Sequence, residues 1–328
     1  MTNDERKAPP AAQGMRQNWT DIPQKIRDLI EAQLGTQVVN AETQSGGFSP
    51  GVAARIYTAD HQCVFLKAIG TELNPTAVSF HRREARINAQ LPENAFAPKL
   101  LWSFDDAEDT GWVVLLFDNI EGSNPQTPWQ ENDLQRVMQA MSQLSSTLTP
   151  SPIASDSIPS SSDYFTTRIY GWQKIKTGDP KYFDRLDEWS KRHFDALCEL
   201  EKNAPNAVAG NTLVHFDVRA DNIVMTEDVV WFVDWPHASI GAEWLDVILF
   251  APSVAMQGGL LPEDLLQLNP ACQRADPDAL TAAIVSMTGM LTFNGMLPPP
   301  PGLPTLREFQ AAQGEVSRQW IAQRTGWE

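Results

Sequence analysis

Cysteine is scarce: Cys63, Cys198 and Cys272 are the three in 328 residues. Their number is odd and their spacing wide, so neither a disulfide framework nor a paired-cysteine zinc site follows, and a reducing compartment is the expected setting. Positive charge is also short, with 25 Lys and Arg against 41 Asp and Glu and a net charge of −16. Nucleic acid is therefore not an expected partner, because a phosphate backbone needs basic patches. No apolar run approaches the ~20 residues of a membrane span. The opening MTNDERKAPPAAQG holds no apolar core of signal-peptide length. Together these absences predict a soluble, cytoplasmic chain with no membrane partner. A strict G-x-G-x-x-G is missing as well.

What is present is enough apolar content for more than one core. At 328 residues the chain fits two lobes, residues 19–118 and 119–328, behind a tail at 1–18 that composition marks as disordered. Residues 1–118 carry 11 basic and 15 acidic side chains, and 119–328 carry 14 and 26. An acidic face on the second lobe would attract a cationic ligand. General solubility accounts for the same surplus equally well.

The densest signal is VHFDVRADNIVMTEDVVWFVDW, Val214 to Trp235. Ile223–Val224–Met225 and Val229–Val230–Trp231–Phe232–Val233 read as buried strands, and Glu227–Asp228 between them reads as a hairpin turn. A two-residue turn sets Asn222 opposite Val233 and brings Asp234 beside Asn222. Two oxygen-bearing side chains at the open end of a hairpin, with Asp217 one loop away, suit a hard divalent cation that keeps phosphate as a further ligand.

Other segments follow in order. Ile22, Ile26, Ile30 and Leu34 share one stripe of a helix over Asp21–Leu34, stopped by Gly35. The loop Ser45–Gly51, SGGFSPG, lies between two apolar stretches, an arrangement that an ordinary Gly-rich hairpin would share. Cys63–Ala68 is a strand carrying Lys67 near its end, and Pro75–Leu91 is a helix carrying Glu84, with Arg82 and Arg83 beside it as competing partners. Leu100–Phe104 and Trp112–Phe117 form a hairpin across a polar turn at 105–111. Phe117–Gly122 then breaks the apolar pattern. Thr127–Pro128–Trp129–Gln130 predicts a helix start, with Leu134, Val137, Met138, Met141 and Leu144 on its inner face. Ser and Pro dominate residues 145–163, which read as a mobile linker or a lid. A helix is expected over Asp179–Asn203, another opening at Gly241–Asp246, a third over Leu280–Leu291, and a last from Leu306 to about Arg324.

His215-x-Asp217-x-x-x-x-Asn222 followed by Asp234 resembles the catalytic loop and metal-binding Asp of the protein-kinase-like fold, most closely the aminoglycoside phosphotransferase family of small-molecule kinases. The resemblance covers roughly residues 40–250. It implies an α+β, two-lobed protein-kinase-like fold, with a small antiparallel-sheet lobe before a larger, mainly helical one. It implies ATP or GTP as co-substrate and Mg²⁺ as cofactor. Gly47 and its loop would lie over the phosphates, Lys67 would hold the α- and β-phosphates with Glu84 fixing it, and the backbones of Asp118 and Ile120 would meet the nucleobase. Asn222 and Asp234 would hold the metal and Asp217 would orient the acceptor hydroxyl. Arg219 matches the place of a γ-phosphate-contacting Lys in protein kinases. His215 would organise backbone, and Asp246 would prop the loop from behind, although a helix-start acid has the same pattern.

Phe216 departs from the Gly usual in aminoglycoside kinases, and Trp235–Pro236 departs from the Phe-Gly of protein kinases, with too little chain before Ala238–Trp244 for a regulatory segment. The implied acceptor is a small hydroxylated molecule, an aminoglycoside or related antibiotic of cationic character among the choices, which would make the enzyme an antibiotic-resistance kinase. A metabolic kinase for choline, homoserine or a sugar, and a silent nucleotide-binding module, are the alternatives.

Overall fold

The computed structural model describes residues 12, 14–44, 46–48, 50–72, 75–106 and 111–328. Residues 1–11 and 13 of the expected tail, Ser45 and Ser49 of the Gly-rich loop, and residues 107–110 of the polar turn lie outside the described residues.

The first lobe runs β1 (Arg16–Gln17), α1 (Gln24–Leu34), β2 (Val38–Thr43), β3 (Gly51–Thr58), β4 (Cys63–Gly70), α2 (Pro75–Asn88), β5 (Leu100–Asp106) and β6 (Trp112–Asp118). The strands form one sheet in the order β1-β3-β4-β6-β5, with β2 also on β3. Every pairing is antiparallel except β1 with β3, where Arg16 lies opposite Gly51. The period of two along β6 explains the two layers, because successive side chains leave opposite faces. Val114 and Leu116 meet Ile22, Ile26 and Ile30 on one side, while Val113, Leu115 and Phe117 meet Ala77 and Val78 of α2 on the other. The strand at Arg16–Gln17 corrects the expectation that disorder extends to residue 18. The tail composition hid it because a two-residue strand has no period to read.

The second lobe comprises α3 (Glu131–Thr147), α4 (Ser161–Thr167), α5 (Gly171–Thr177), α6 (Lys181–Asp184), α7 (Glu188–Arg192), α8 (Phe194–Glu201), α9 (Ala204–Ala207), β7 (Thr212–Val214), β8 (Ile223–Met225), β9 (Val230–Phe232), β10 (Ser239–Gly241), α10 (Leu245–Met256), α11 (Pro262–Gln267), α12 (Pro270–Arg274), α13 (Pro277–Gly295) and α14 (Leu306–Thr325). The architecture is α+β and two-lobed. One large core joins these helices, with Trp172, Trp235, Trp320 and Phe250 fully buried.

Four expectations are corrected here. Residues 145–163 are not a linker without structure: Ser145–Thr147 close α3, Ile153 and Ile158 are 3% and 6% exposed, and Ser160 bridges Ile240 and caps α4. Two isoleucines anchor a Ser/Pro-rich coil without leaving a period. The single helix over Asp179–Asn203 is three short ones, because Asp187 accepts from the Ser190 backbone N–H and starts a new helix inside the run. α3 begins at Glu131 rather than at Thr127, since Trp129 is drawn into the core edge-on against Phe250 and its N–H donates to the Gln257 carbonyl. Gly241 ends β10 and the helix opens only at Leu245.

Candidate active site

The β8–β9 hairpin sets the register of the site. Ile223 pairs with Phe232 and Met225 with Val230, and the Thr226 N–H donates to the Val229 carbonyl across the Glu227–Asp228 turn. The ladder continues to Asn222, whose carbonyl accepts from the Val233 N–H at 3.0 Å. Asp234 follows in a left-handed conformation, φ 71°, which turns it out of the ladder.

Lys67, on β4 of the other lobe, reaches this corner. Its Nζ lies 2.6 Å from Glu84 Oε1 and 2.9 Å from Asp234 Oδ1, so one ammonium ties α2, β4 and the hairpin together. The neighbouring arginines do not compete: Arg82 forms a two-pronged pair with Asp105, and Arg83 turns to Tyr164. Burial acts against every charge in the group. It pushes Glu84 up, while the adjacent Lys67 ammonium overcomes it at Asp234 and holds that carboxyl well below the usual range. Lys67 itself, in spite of burial, is raised by the two carboxylates.

The loop before the hairpin is held by its own side chains. The Asp246 carboxylate accepts from the His215 and Phe216 backbone N–H groups at 2.9 and 2.7 Å. His215 is fully buried, donates from Nε2 to the Val233 carbonyl at 2.9 Å, and accepts the Asp217 N–H on Nδ1. Burial lowers it to about 4, so it is the neutral tautomer that makes both contacts. Phe216 has φ 71°, a left-handed backbone that costs a residue with Cβ about 1–2 kcal/mol. Burial pushes the Asp217 carboxyl up to about 6, against the pull of Arg219. Arg219 bridges Asp217 Oδ1 at 2.5 Å and both Asp221 oxygens, at 3.0 and 2.8 Å.

The Asn222 amide nitrogen donates to the Asp217 carbonyl at 2.8 Å and to its carboxylate at 3.1 Å. That orientation keeps the amide oxygen out of the Asp217 contacts, and Asn222 and Asp234 line the same cavity. One amide oxygen and one carboxylate are hard donors of the type Mg²⁺ takes. Among the described residues no cluster of three or more His, Cys, Asp or Glu could hold a metal, so a cation at this corner would complete its shell with oxygens of a ligand or water.

A cavity of about 430 Å³ opens between the lobes, lined by Gly47, Lys67, Glu84, Asp118, Ile120, Asn222 and Asp234 among others. The structure thus brings seven of the sequence-selected residues to one space. Asp217, Arg219, His215 and Asp246 do not line it and stand around the loop beside it. Gly47 has φ +86°, and a Cβ there would meet Arg16 Nη2 at 3.2 Å. Among the lining residues that sequence reasoning did not single out, three hold the site's loops. Arg16 reaches in from β1 and bonds the Gly46 carbonyl; Asp221 clasps Arg219; and Asn124 donates to the Ile223 carbonyl at 2.7 Å. Only Asp221 carried a local signal, its two-residue spacing from Arg219. From Asp234 to Ser239, where β10 begins its pairing with β7, five residues suffice. Trp235 fills that turn against the His215 ring at 4.6 Å.

A family model described as the phosphotransferase enzyme family, APH, matches residues 45–275. No curated protein sequence matches the chain. Among solved structures, the GDP and kanamycin complex of APH(2")-IIia is similar at 12% identity, with a TM-score of 0.60 over 93% of this chain and 99% of that one. A thermostable mutant of aminoglycoside phosphotransferase APH(4)-Ia, in ternary complex with ADP and hygromycin B, is 14% identical, with a TM-score of 0.59 over 92% of this chain and 99% of its own. Spectinomycin phosphotransferase APH(9)-Ia with ADP and spectinomycin gives 12%, a TM-score of 0.58, and coverage of 95% and 99%. At these identities the likeness is one of fold, protein-kinase-like in its two lobes. Among the described residues no helix is long and apolar enough to cross a membrane.

Proposed function

Because the chain belongs to the phosphotransferase enzyme family, whose members act on hydroxyl groups, we propose that it moves the γ-phosphoryl of ATP or GTP to a hydroxyl of a small molecule. The observation that carries this reading is Lys67 Nζ shared between Glu84 and Asp234 at the wall of the interlobe cavity. A cation so placed, beside the hard donors Asn222 and Asp234, suits a metal-bound triphosphate and little else.

In this reading Asn222 and Asp234 hold Mg²⁺, which supplies charge neutralisation on the phosphate oxygens. Lys67 steadies the α- and β-phosphates, Gly47 offers backbone over them, and Asp118 and Ile120 present backbone to the base. Asp217 accepts a hydrogen bond from the acceptor hydroxyl and fixes its line of approach. The hydroxyl oxygen forms a bond to γ-phosphorus, the bond from γ-phosphorus to the bridging oxygen breaks, the nucleoside diphosphate leaves, and the hydroxyl proton passes to Asp217. Arg219, tied to Asp217, adds a positive charge where negative charge gathers. His215 and Asp246 act through the loop backbone.

The solved neighbours are complexes with kanamycin, hygromycin B and spectinomycin, which supports a small hydroxylated acceptor. An antibiotic and a metabolite such as choline, homoserine or a sugar both fit that description. The test is nucleotide consumption by the full chain, with Mg²⁺, across amines, sugars, hydroxy acids and antibiotics, followed by mass analysis for a phosphorylated product. Absence of both product and Mg²⁺-dependent nucleotide binding would refute the proposal.

A further inference from the structure

We propose that the acceptor is an anionic hydroxyl compound, its acid group received by the guanidiniums of Arg83 and Arg168 beside the Asp217 loop. This rests on the phosphotransferase reading of the site and narrows it to a substrate class.

Arg83 and Arg168 come from different lobes and meet at one phenol ring. Their guanidinium carbons lie 5.9 and 4.6 Å from the centroid of Tyr164. Arg83 Nη1 donates to the Tyr164 hydroxyl and, at 3.5 Å, to the carbonyl of Pro236, two residues after Asp234. The Tyr164 ring in turn stands edge-on to Phe216 at 4.9 Å, and Phe216 is the residue before Asp217. The pair is therefore fastened to both segments that carry the reacting groups. None of Arg83, Tyr164, Arg168 or Phe216 lines the interlobe cavity, and neither does Asp217. Arg83, Tyr164 and Arg168 lie beside the Phe216–Asp217 end of the loop, outside that cavity.

What makes these arginines informative is that two of them meet at one ring while, among the described residues, neither is paired to a carboxylate. Other arginines without an acid partner stand singly on backbone carbonyls, as Arg55, Arg136 and Arg185 do. Arg82 takes Asp105, Arg274 takes Glu243, Arg318 takes Asp187 and Arg324 takes Glu263. Among the described residues neither Arg83 nor Arg168 makes an ion pair. Lys174, which donates to the Arg168 carbonyl, sits over the Tyr170 ring rather than on a carboxylate. His237, edge-on to Phe80 one turn before Arg83, is lowered to about 4 by burial; Asp234 opposes that lowering, and Arg219, Arg168 and Arg83 add to it. Two guanidiniums against one ring, neither paired to a carboxylate, would repel an ammonium and draw a carboxylate or phosphate ester. An arginine fork matches either acid group with two parallel hydrogen bonds, and an aromatic face behind the guanidinium keeps the fork oriented.

The test uses the full-length chain, saturated with Mg²⁺ and AMP-PNP, and three open-chain probes that differ at one carbon: gluconate, sorbitol and glucamine, bearing an anion, an alcohol and an ammonium. Calorimetric titration should find gluconate bound at least about tenfold more tightly than glucamine, the scale of one charge-assisted hydrogen-bond contact. Arg168→Gln, at an exposed position that folding tolerates, should abolish that preference, and Arg168→Glu should shift it toward glucamine. Equal or tighter glucamine binding, no binding of gluconate, or a gluconate preference unchanged in Arg83→Gln and Arg168→Gln would overturn the proposal. If the wild-type chain binds Mg²⁺–AMP-PNP and Asp234→Ala loses it, the phosphotransferase reading survives such a result. If nucleotide is not bound at all, that reading fails first.

Discussion

Asp217 is the residue whose surroundings most constrain the chemistry. Its carboxyl is pushed up to about 6 by burial, and it can take the hydroxyl proton only when ionised. Transfer should therefore be lost as pH falls through about 6, with kcat/KM dropping tenfold per unit below it and a plateau above. A profile flat to pH 5 would remove Asp217 from that role. Asp217→Ala should keep nucleotide affinity and lose transfer by about 10²-fold or more, whereas Asp234→Ala should weaken Mg²⁺-nucleotide binding itself. Full activity in either variant contradicts the assignment. Asp246 behaves differently, because it touches only backbone. Asp246→Ala strands two buried N–H groups, a loss of about 2–5 kcal/mol, visible as a lower denaturant midpoint together with reduced transfer.

At the scale of elements, the hairpin and the helix crossings set the tolerances. The β8–β9 hairpin has two apolar strands of three residues and a two-residue turn, so its register has little freedom, and that register decides whether Asn222 and Asp234 meet. In the helical lobe α5 crosses α13 at backbone contact. A Cβ on Gly171 would fall 1.8 Å from the Gly289 carbonyl oxygen, which no side-chain movement relieves. Gly171→Ala should cost about 3 kcal/mol in urea unfolding, whereas Gly46→Ala, with open space around it, should stay within about 0.5 kcal/mol. Similar midpoints for the two variants would mean that the α5–α13 crossing yields to a methyl group by moving its backbone. The α4 helix is held between the lobes in the same way, by Ser160 at its cap and by Tyr164 against Phe216 and Arg83.

The large core of the second lobe takes in Ile87 and Ala95 of the first, and polar links tie the lobes as well, among them Lys67 to Asp234, Arg83 to Tyr164 and Arg55 to the Gly122 carbonyl. A ligand that spans the interlobe cavity adds to those links and binds the folded state alone. Mg²⁺–AMP-PNP at a hundred times its dissociation constant should stabilise the chain by about 2.7 kcal/mol by mass action. The shift should need Mg²⁺ and should vanish in Asp234→Ala. An equal shift without the metal would separate the nucleotide site from Asn222 and Asp234. With a net charge of −16, self-repulsion is also a whole-molecule property, and it makes the local arginine pair at Tyr164 conspicuous.

Local pattern determined a good deal by itself. The period of two in Trp112–Asp118, the isoleucine stripe of Gln24–Leu34, and the two apolar runs around Glu227–Asp228 specify their elements because burying one face against a neighbour is the only favourable outcome for such patterns. The two-lobed α+β fold and the reaction type are implied by the family resemblance that the spacing of Asp217, Asn222 and Asp234 carries. Tertiary structure alone decided that Lys67 rather than Arg82 or Arg83 would take Glu84, and that β1 would bring Arg16 to the cavity. It also brought Arg83 and Arg168 to the one ring of Tyr164. These are contacts between groups 17 to 167 positions apart in the case of Lys67 with Glu84 and Asp234, and 81 in the case of Arg83 with Tyr164. A sequence window records which charges a segment carries. Which opposite charge or ring each one meets depends on how separate layers pack, and that is settled by burial over the whole chain.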